Sequence, residues 1–171
     1  DHQSWLATCP KGLELLLANE LQQLGASGVK ETVAAVHFEG SLELAYRACL
    51  WSRLANRILL PLHSFMLNSA DDLYQQCNDI AWESHFTAAQ SIAIDFIGTS
   101  RHIDNTMYGS QRVKDGIVDR IRRIEGDRPS VDTKNPDIRI HVRQHKGEHI
   151  VQLNEFCNCS VETQRFHVGA Y

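Results

Sequence analysis

Residues 5–63 read WLATCPKGLELLLANELQQLGASGVKETVAAVHFEGSLELAYRACLWSRLANRILLPLH, and how this stretch divides decides the fold. The opening WLATC is short and apolar, as a strand would be. Pro10 suits a helix start, because its missing N–H is one that a first turn leaves unpaired anyway. Leu13, Leu16, Leu17, Glu20, Leu21 and Leu24 then recur at i, i+3, i+4 spacing, which predicts a helix with one mostly apolar face. Gly25 is the expected stop. Two β-rich pieces follow, around Val29–Val33 and Ala35–Phe38. Ser41 is a candidate N-cap for a second helix, SLELAYRACLWSRLA. NRILLPLH is a strand expected to end near Pro61.

Strand, helix, strand, strand, helix, strand is the order of the split βαβ, or ferredoxin-like, unit. The second half differs. SADDLYQQCNDI predicts a helix with Ser69 as its cap and Asp71 and Asp72 in the first turn, where the helix dipole favours carboxylates. SIAIDFIG is a strand, NTMYGSQRVKDGIVDRIRR a long helix, and GDRPSVDTKNPD a polar loop. IRIHVRQ alternates apolar and polar residues, HKGE is a turn and HIVQL a return strand. The expectation is an α+β chain, with a ferredoxin-like domain over 1–62, an α/β domain over 63–155 and an atypical tail over 156–171.

The chain of 171 residues is 43% hydrophobic with a formal net charge of −4, enough to bury a core in one domain or two. No window approaches a membrane span, and the start has no basic segment followed by an apolar run, so no secretory signal is expected. Five widely spaced cysteines do not make a disulfide framework, and a reducing cytoplasm is the simplest reading. Charge is uneven. Residues 101–128 carry seven basic and five acidic side chains, against ten basic and sixteen acidic in the remainder.

That local surplus falls on the long helix. Val113, Ile117, Ile121 and Ile124 form its apolar stripe. Its first turns hold Tyr108, Gly109, Ser110 and Gln111, with Lys114 a turn further on and Arg101 and Arg112 nearby. A helix N-terminus offers amides to phosphate. Gly109 would allow close approach, Ser110 and Gln111 could donate hydrogen bonds, and Tyr108 could stack on a base. The same spacing also fits a solvated helix whose C-terminal arginines answer the dipole. On the strand IRIHVRQ, Arg139, His141 and Arg143 share a face that could meet phosphates or plain solvent.

Other chemistries find little support. His141, His145 and His149 have zinc-like spacing, but they straddle a strand and a turn, so no metal site is expected. Cys157 and Cys159 form a CxC without a second pair. There is no Walker loop, no G-x-G-x-x-G and no G-x-S-x-G, and no catalytic residue is assigned. NPDI lacks the second proline and the aromatic of an amino-methyltransferase loop.

Five blocks in order carry a family resemblance: TCPKGLELLLANEL (8–21), AAVHFEGSLELAYRACLWSRLANRILL (34–60), DDLYQQCNDIAW (71–82), NTMYGSQRVKDGIVD (105–119) and DRPSVDTKNPDIRIHV (127–142). The chain resembles the N-terminal part of the bacterial 23S rRNA guanine-N2 methyltransferases that carry a THUMP domain. The resemblance implies a ferredoxin-like domain followed by a THUMP domain, whose family bounds can reach back to near residue 43. It implies a cytoplasmic unit that binds structured RNA, a 23S rRNA hairpin. It also implies a parent enzyme that uses S-adenosylmethionine through a catalytic domain not contained here, so no cofactor is expected in this chain. The alternative within the resemblance is a THUMP module of a tRNA-thiolating or tRNA-methylating enzyme. After Leu153 the sequence departs from the family pattern.

Overall fold

A computed structural model describes residues 2–145 and 148–154. They fall into two compact units, one reaching to Pro61 and the other spanning Leu62–Leu153.

The first unit contains β1 (Gln3–Thr8), α1 (Glu14–Gln23), β2 (Ser27–Thr32), β3 (Ala35–Gly40), α2 (Leu42–Trp51) and the start of β4 (Arg57–Met66). Its strands lie in the order β2-β3-β1-β4, all antiparallel. β1 is paired on both sides, with Ala7 opposite Val36 on one and Ile58 on the other, and Trp5, Leu6 and Ala7 are buried accordingly. The turn between β2 and β3 places Ala34 at φ +56°, a left-handed conformation that is strained for a residue with a Cβ. Glu14 holds it there. Its carboxylate accepts the Ala34 N–H at 2.8 Å and the Gly12 N–H at 2.9 Å, and backbone hydrogen bonds keep its pKa below the usual carboxylate range.

Three local expectations need correction. Helix α1 starts at Glu14, because Pro10–Gly12 is a turn with Gly12 at φ +97°. It buries Leu17, Ala18 and Leu21, while Leu16 stays 55% exposed, since the sheet covers a narrower strip than the full leucine face. Helix α2 ends at Trp51 rather than Ala55. There Ser52 donates to Glu20 at 2.7 Å and accepts the Ala55 N–H at 3.0 Å, which turns the chain out of the helix. Strand β4 does not end at Pro61. Its pairing with β1 covers Arg57–Leu59, so a residue without an N–H at position 61 breaks none of that ladder.

The second unit continues β4 and adds α3 (Ala70–Asn78), a single 3-10 turn (Trp82–Ser84), β5 (Ile92–Ile97), α4 (Thr106–Glu125), β6 (Ile138–His145) and β7 (Glu148–Asn154). The strand order is β4-β7-β6-β5. At the start of α3, the Asp72 carboxylate accepts the Asn68 N–H at 2.8 Å and the Ser69 N–H at 3.1 Å. β5 and β6 are parallel, with α4 as the crossover between them. Ile138, Ile140 and Val142 are buried, as their alternation predicts. α4 packs on both β5 and α3. It buries Val113, Ile117 and Ile121, but Ile124 lies beyond the packed face at 48% exposure. Gly116 lets α3 close in: a Cβ there would lie 2.8 Å from the Tyr74 carbonyl oxygen. Asn78 fastens the contact by donating to the Gly116 carbonyl at 3.0 Å.

Candidate nucleic-acid interface

The first turns of α4 were the strongest anion-binding candidate in the sequence, and their geometry changes the reading. Asn105 is the N-cap. Its side-chain oxygen accepts the Met107 N–H at 2.9 Å and the Tyr108 N–H at 3.2 Å, and the Gly109 N–H closes onto the Asn105 carbonyl at 3.0 Å. Amides that would have met a phosphate are therefore occupied. Gly109 does not open space for a ligand either. It is buried, and a Cβ there would lie 2.7 Å from the Phe96 ring and 3.0 Å from Ile103. Its smallness brings α4 onto β5.

That contact also locates the end of the domain. Phe96 is the last residue but one of β5, and Ile97 after it is in register with Arg143 of β6. Gly98, at φ +96°, lies so close to β6 that a Cβ would come 2.5 Å from the Gln144 carbonyl oxygen. Arg101 in the following loop, Tyr108 and Gln111 on α4, and Arg143 on β6 are all exposed towards this end of the second unit, with Arg143 on the sheet face opposite the one that α4 covers. Tyr108 is 42% exposed and Met107 beside it 71%. Ser110 is half-buried. An exposed aromatic ring can stack on an unpaired base, and exposed arginines can meet phosphates.

The remaining candidate cations are engaged by carboxylates. Lys114 Nζ lies 3.0 Å from Asp115. The Arg112 guanidinium sits over the Tyr74 ring at 4.8 Å, with Asp115 at 3.9 Å and Asp71 at 4.0 Å. The Tyr74 hydroxyl donates to Asp119 at 2.7 Å, and this bond, with burial, raises its pKa. On β6, Arg139 lies 3.0 Å from one oxygen of Asp95 and His141 Nδ1 lies 3.4 Å from the other. His141 is 4% exposed. Of the three residues expected to share a solvated cationic face, only Arg143 is exposed, because Asp95 stands in register with His141 and draws in its neighbours.

The far end of α4 is closed. Arg120 donates to both Glu83 oxygens at 2.7 Å and to the Asn78 carbonyl at 3.0 Å. The guanidinium holds the Glu83 carboxyl down at about 2. Arg123 donates to the Asn78 side chain at 3.4 Å, and Gly126 ends the helix in the left-handed conformation at φ +77°. Among the described residues, no three His, Cys, Asp or Glu side chains are grouped as metal ligands would be. Cys9, Cys49 and Cys77 are buried thiols, and burial pushes Cys77 up to about 12. Cys157, Cys159 and the tail expected over 156–171 lie outside the described residues, as does the centre of the HKGE turn.

Family models match both units: the RlmL ferredoxin-like domain over residues 4–59 and the THUMP domain over residues 68–154. The chain belongs to the THUMP-domain family. The THUMP match begins beyond β4, well after residue 43. The chain is 51% identical over 152 residues to the ribosomal RNA large subunit methyltransferase K/L of Aeromonas hydrophila, covering 89% of this chain and 21% of that protein. It is 47% identical over 153 residues to the protein of the same name in Cellvibrio japonicus, covering 90% and 20%. The chain thus spans about one-fifth of the length of the curated relatives it matches. Among solved structures, TrmN from Thermus thermophilus matches with a TM-score of 0.66 at 24% identity, over 88% of this chain and 45% of that one. A 4-thiouridine synthetase solved with RNA and bound ATP matches with a TM-score of 0.56 at 10% identity, over 90% and 41%. These two likenesses are of fold. No helix of the described residues is long and apolar enough to cross a membrane.

Two features of this THUMP domain were missed in the sequence although signals for them exist. Asn105 stands immediately before a periodic apolar run, where Asn is a favoured N-cap. Asp95 is a carboxylate inside an apolar strand, which calls for a cationic partner. Which cation it would take depended on the β5–β6 register, and that is invisible in one sequence.

Proposed function

We propose that this chain is the RNA-holding region of an S-adenosylmethionine-dependent 23S rRNA guanine-N2 methyltransferase of the bacterial cytoplasm. The observation that carries this reading is the 51% identity, over nearly the whole chain, to a ribosomal RNA large subunit methyltransferase. The RNA meets the second unit at the end where Arg101, Tyr108, Gln111 and Arg143 are exposed. Ser110 adds a donor at its margin. Lys114, Arg112 and Arg139, being paired with carboxylates, contribute field more than contact. Gly109 shapes the surface from beneath.

S-adenosylmethionine chemistry belongs to other parts of such enzymes. The residues here do not fit that cofactor, since the sequence has no glycine-rich strand–loop–helix to cradle it. No catalytic step is assigned to any residue of this chain.

The reading is tested by filter binding of a 23S rRNA stem-loop across a salt series. Binding should weaken steeply with salt, because phosphate contacts release counterions. Retention no greater than that of an unrelated acidic protein at low salt would remove the claim. A tRNA substrate is the second reading, favoured only by the fold shared with a 4-thiouridine synthetase solved with RNA. If tRNA displaces the rRNA hairpin at lower concentration than the hairpin displaces itself, the second reading replaces the first.

A further inference from the structure

Between β5 and α4 the chain passes from sheet to helix through GTSRHIDN, residues 98–105, and this link is tied down along its length. Gly98 starts it at φ +96°, pressed against the Gln144 carbonyl of β6. Asn105 ends it as the N-cap of α4. Between the two, Ile103 is 1% exposed and lies against Gly109 of α4. A side chain buried that far fixes the backbone that carries it, because any shift would open a void against its neighbours.

Ser100 closes the middle of the link. Its N–H donates to the Ile103 carbonyl at 2.7 Å. Its hydroxyl accepts the Ile103 N–H at 3.1 Å and the His102 N–H at 3.2 Å. Residues 100–103 are thus folded into a turn that is fastened to the core through Ile103. Arg101 is carried by that turn. It is exposed and, among the described residues, makes no ion pair. In this it differs from Arg112, Arg120 and Arg139, each of which lies beside a carboxylate of its own fold. An arginine on a freely moving loop loses backbone freedom when it meets a phosphate. One on a closed turn has lost that freedom already, on folding.

We propose that Ser100 is a positioning residue for RNA: it holds the turn that presents Arg101 to a phosphate of the bound strand. This rests on the reading of the chain as RNA-binding and deepens it, since it assigns a half-buried hydroxyl, and not only exposed side chains, to recognition. Ser100 acts through Arg101 and makes no contact with RNA itself. Its hydroxyl is needed as an acceptor, because the amides of His102 and Ile103 both donate to it. Alanine removes that acceptor, and threonine keeps it.

The test is a double-mutant cycle on the whole chain, read by filter binding of the 23S rRNA stem-loop and by amide hydrogen exchange of the free protein. Arg101→Ala should weaken binding about fivefold and lower the salt slope by about one, as the loss of one phosphate contact does. Ser100→Ala should weaken binding about threefold and speed the exchange of the His102 and Ile103 amides. Ser100→Thr should restore both. In the Arg101→Ala background, Ser100→Ala should bring no further loss of affinity, because the side chain it positions is gone. An equal loss in both backgrounds would make Ser100 a general support of the fold, overturning the positioning role and leaving the Arg101 contact standing. Wild-type affinity in Ser100→Ala would overturn that role as well. If Arg101→Ala kept full affinity in a chain that retains the stem-loop, Arg101 would leave the interface and the role of Ser100 would fall with it. Retention no better than that of an unrelated acidic protein would end the RNA-binding reading itself, and this proposal with it.

Discussion

Helix α4 has two ends of similar sequence polarity and opposite availability. At its C-terminal end Arg120 is clamped between Glu83 and Asn78, and Arg123 also reaches Asn78. At its N-terminal end Asn105 satisfies the backbone, and the exposed groups are Met107, Tyr108 and Gln111, with Arg101 beside them. In the denser cationic run Arg120 is committed to structure and Arg123 reaches Asn78, while Arg122 is exposed. Counting charges points to the other end from the one proposed above. A cation contributes to binding only to the extent that no carboxylate of its own fold already holds it.

The contrast requires that α4 stay seated, and the largest effect should come from unseating it. Gly116→Leu drives a side chain into the Tyr74 carbonyl, which cannot yield without moving α3. Overpacking at so close a backbone contact should cost more than about 3 kcal/mol. Urea denaturation should show the second unit unfolded or nearly so. A variant of wild-type stability would mean that α3 and α4 are not packed as described.

Breaking the closed end comes next. Arg120→Ala leaves the half-buried Glu83 carboxylate without its guanidinium and should cost about 2 kcal/mol. The pH dependence carries a signature. The Glu83 carboxyl is held at about 2 against an ordinary 4.5. A depressed folded-state value means that its stabilisation is complete above about 4.5 and fades as the pH falls towards 2. Wild-type stability should therefore drop through that window. Arg120→Ala should start lower and drop less. Parallel curves for the two proteins would contradict the pairing.

The open end is more tolerant. Asn105→Ala removes one N-cap and should cost about 1 kcal/mol, read as a fall of a few degrees in Tm. Asn105→Asp should cost little. If alanine were neutral, the first-turn amides would have another partner, and the anion-site reading of that turn would regain ground.

The ferredoxin-like order was legible in the sequence because its signals are local: leucine periodicity in α1, the Ser41 cap and the β-rich pieces around Ala34. The element ends were less legible. Glu20 sets the end of α2 from thirty-two residues away, and β4 runs through Pro61 because its pairing with β1 ends at Leu59. The site divides similarly. Residue type and spacing suggest Tyr108, Gln111 and Arg143, and the structure leaves all three exposed. The capture of Arg139 by Asp95, the burial of Gly109 against Phe96 and the clamping of Arg120 all depend on which elements become neighbours. Periodicity within one segment carries no information about that.

The smallest expected change concerns Lys114. Because Asp115 already holds it at 3.0 Å, Lys114→Ala should weaken RNA binding no more than about twofold. The most direct test of the account reverses charge at each end of α4 and measures the salt dependence of stem-loop affinity. Arg101→Glu with Arg143→Glu should weaken binding strongly and reduce the slope of log affinity against log salt by about one to two. Arg122→Glu, an exposed arginine at the closed end, should leave both nearly unchanged. If Arg122→Glu flattens the slope as much as the pair at the open end, the RNA lies along the arginine-rich end, and the central claim is wrong.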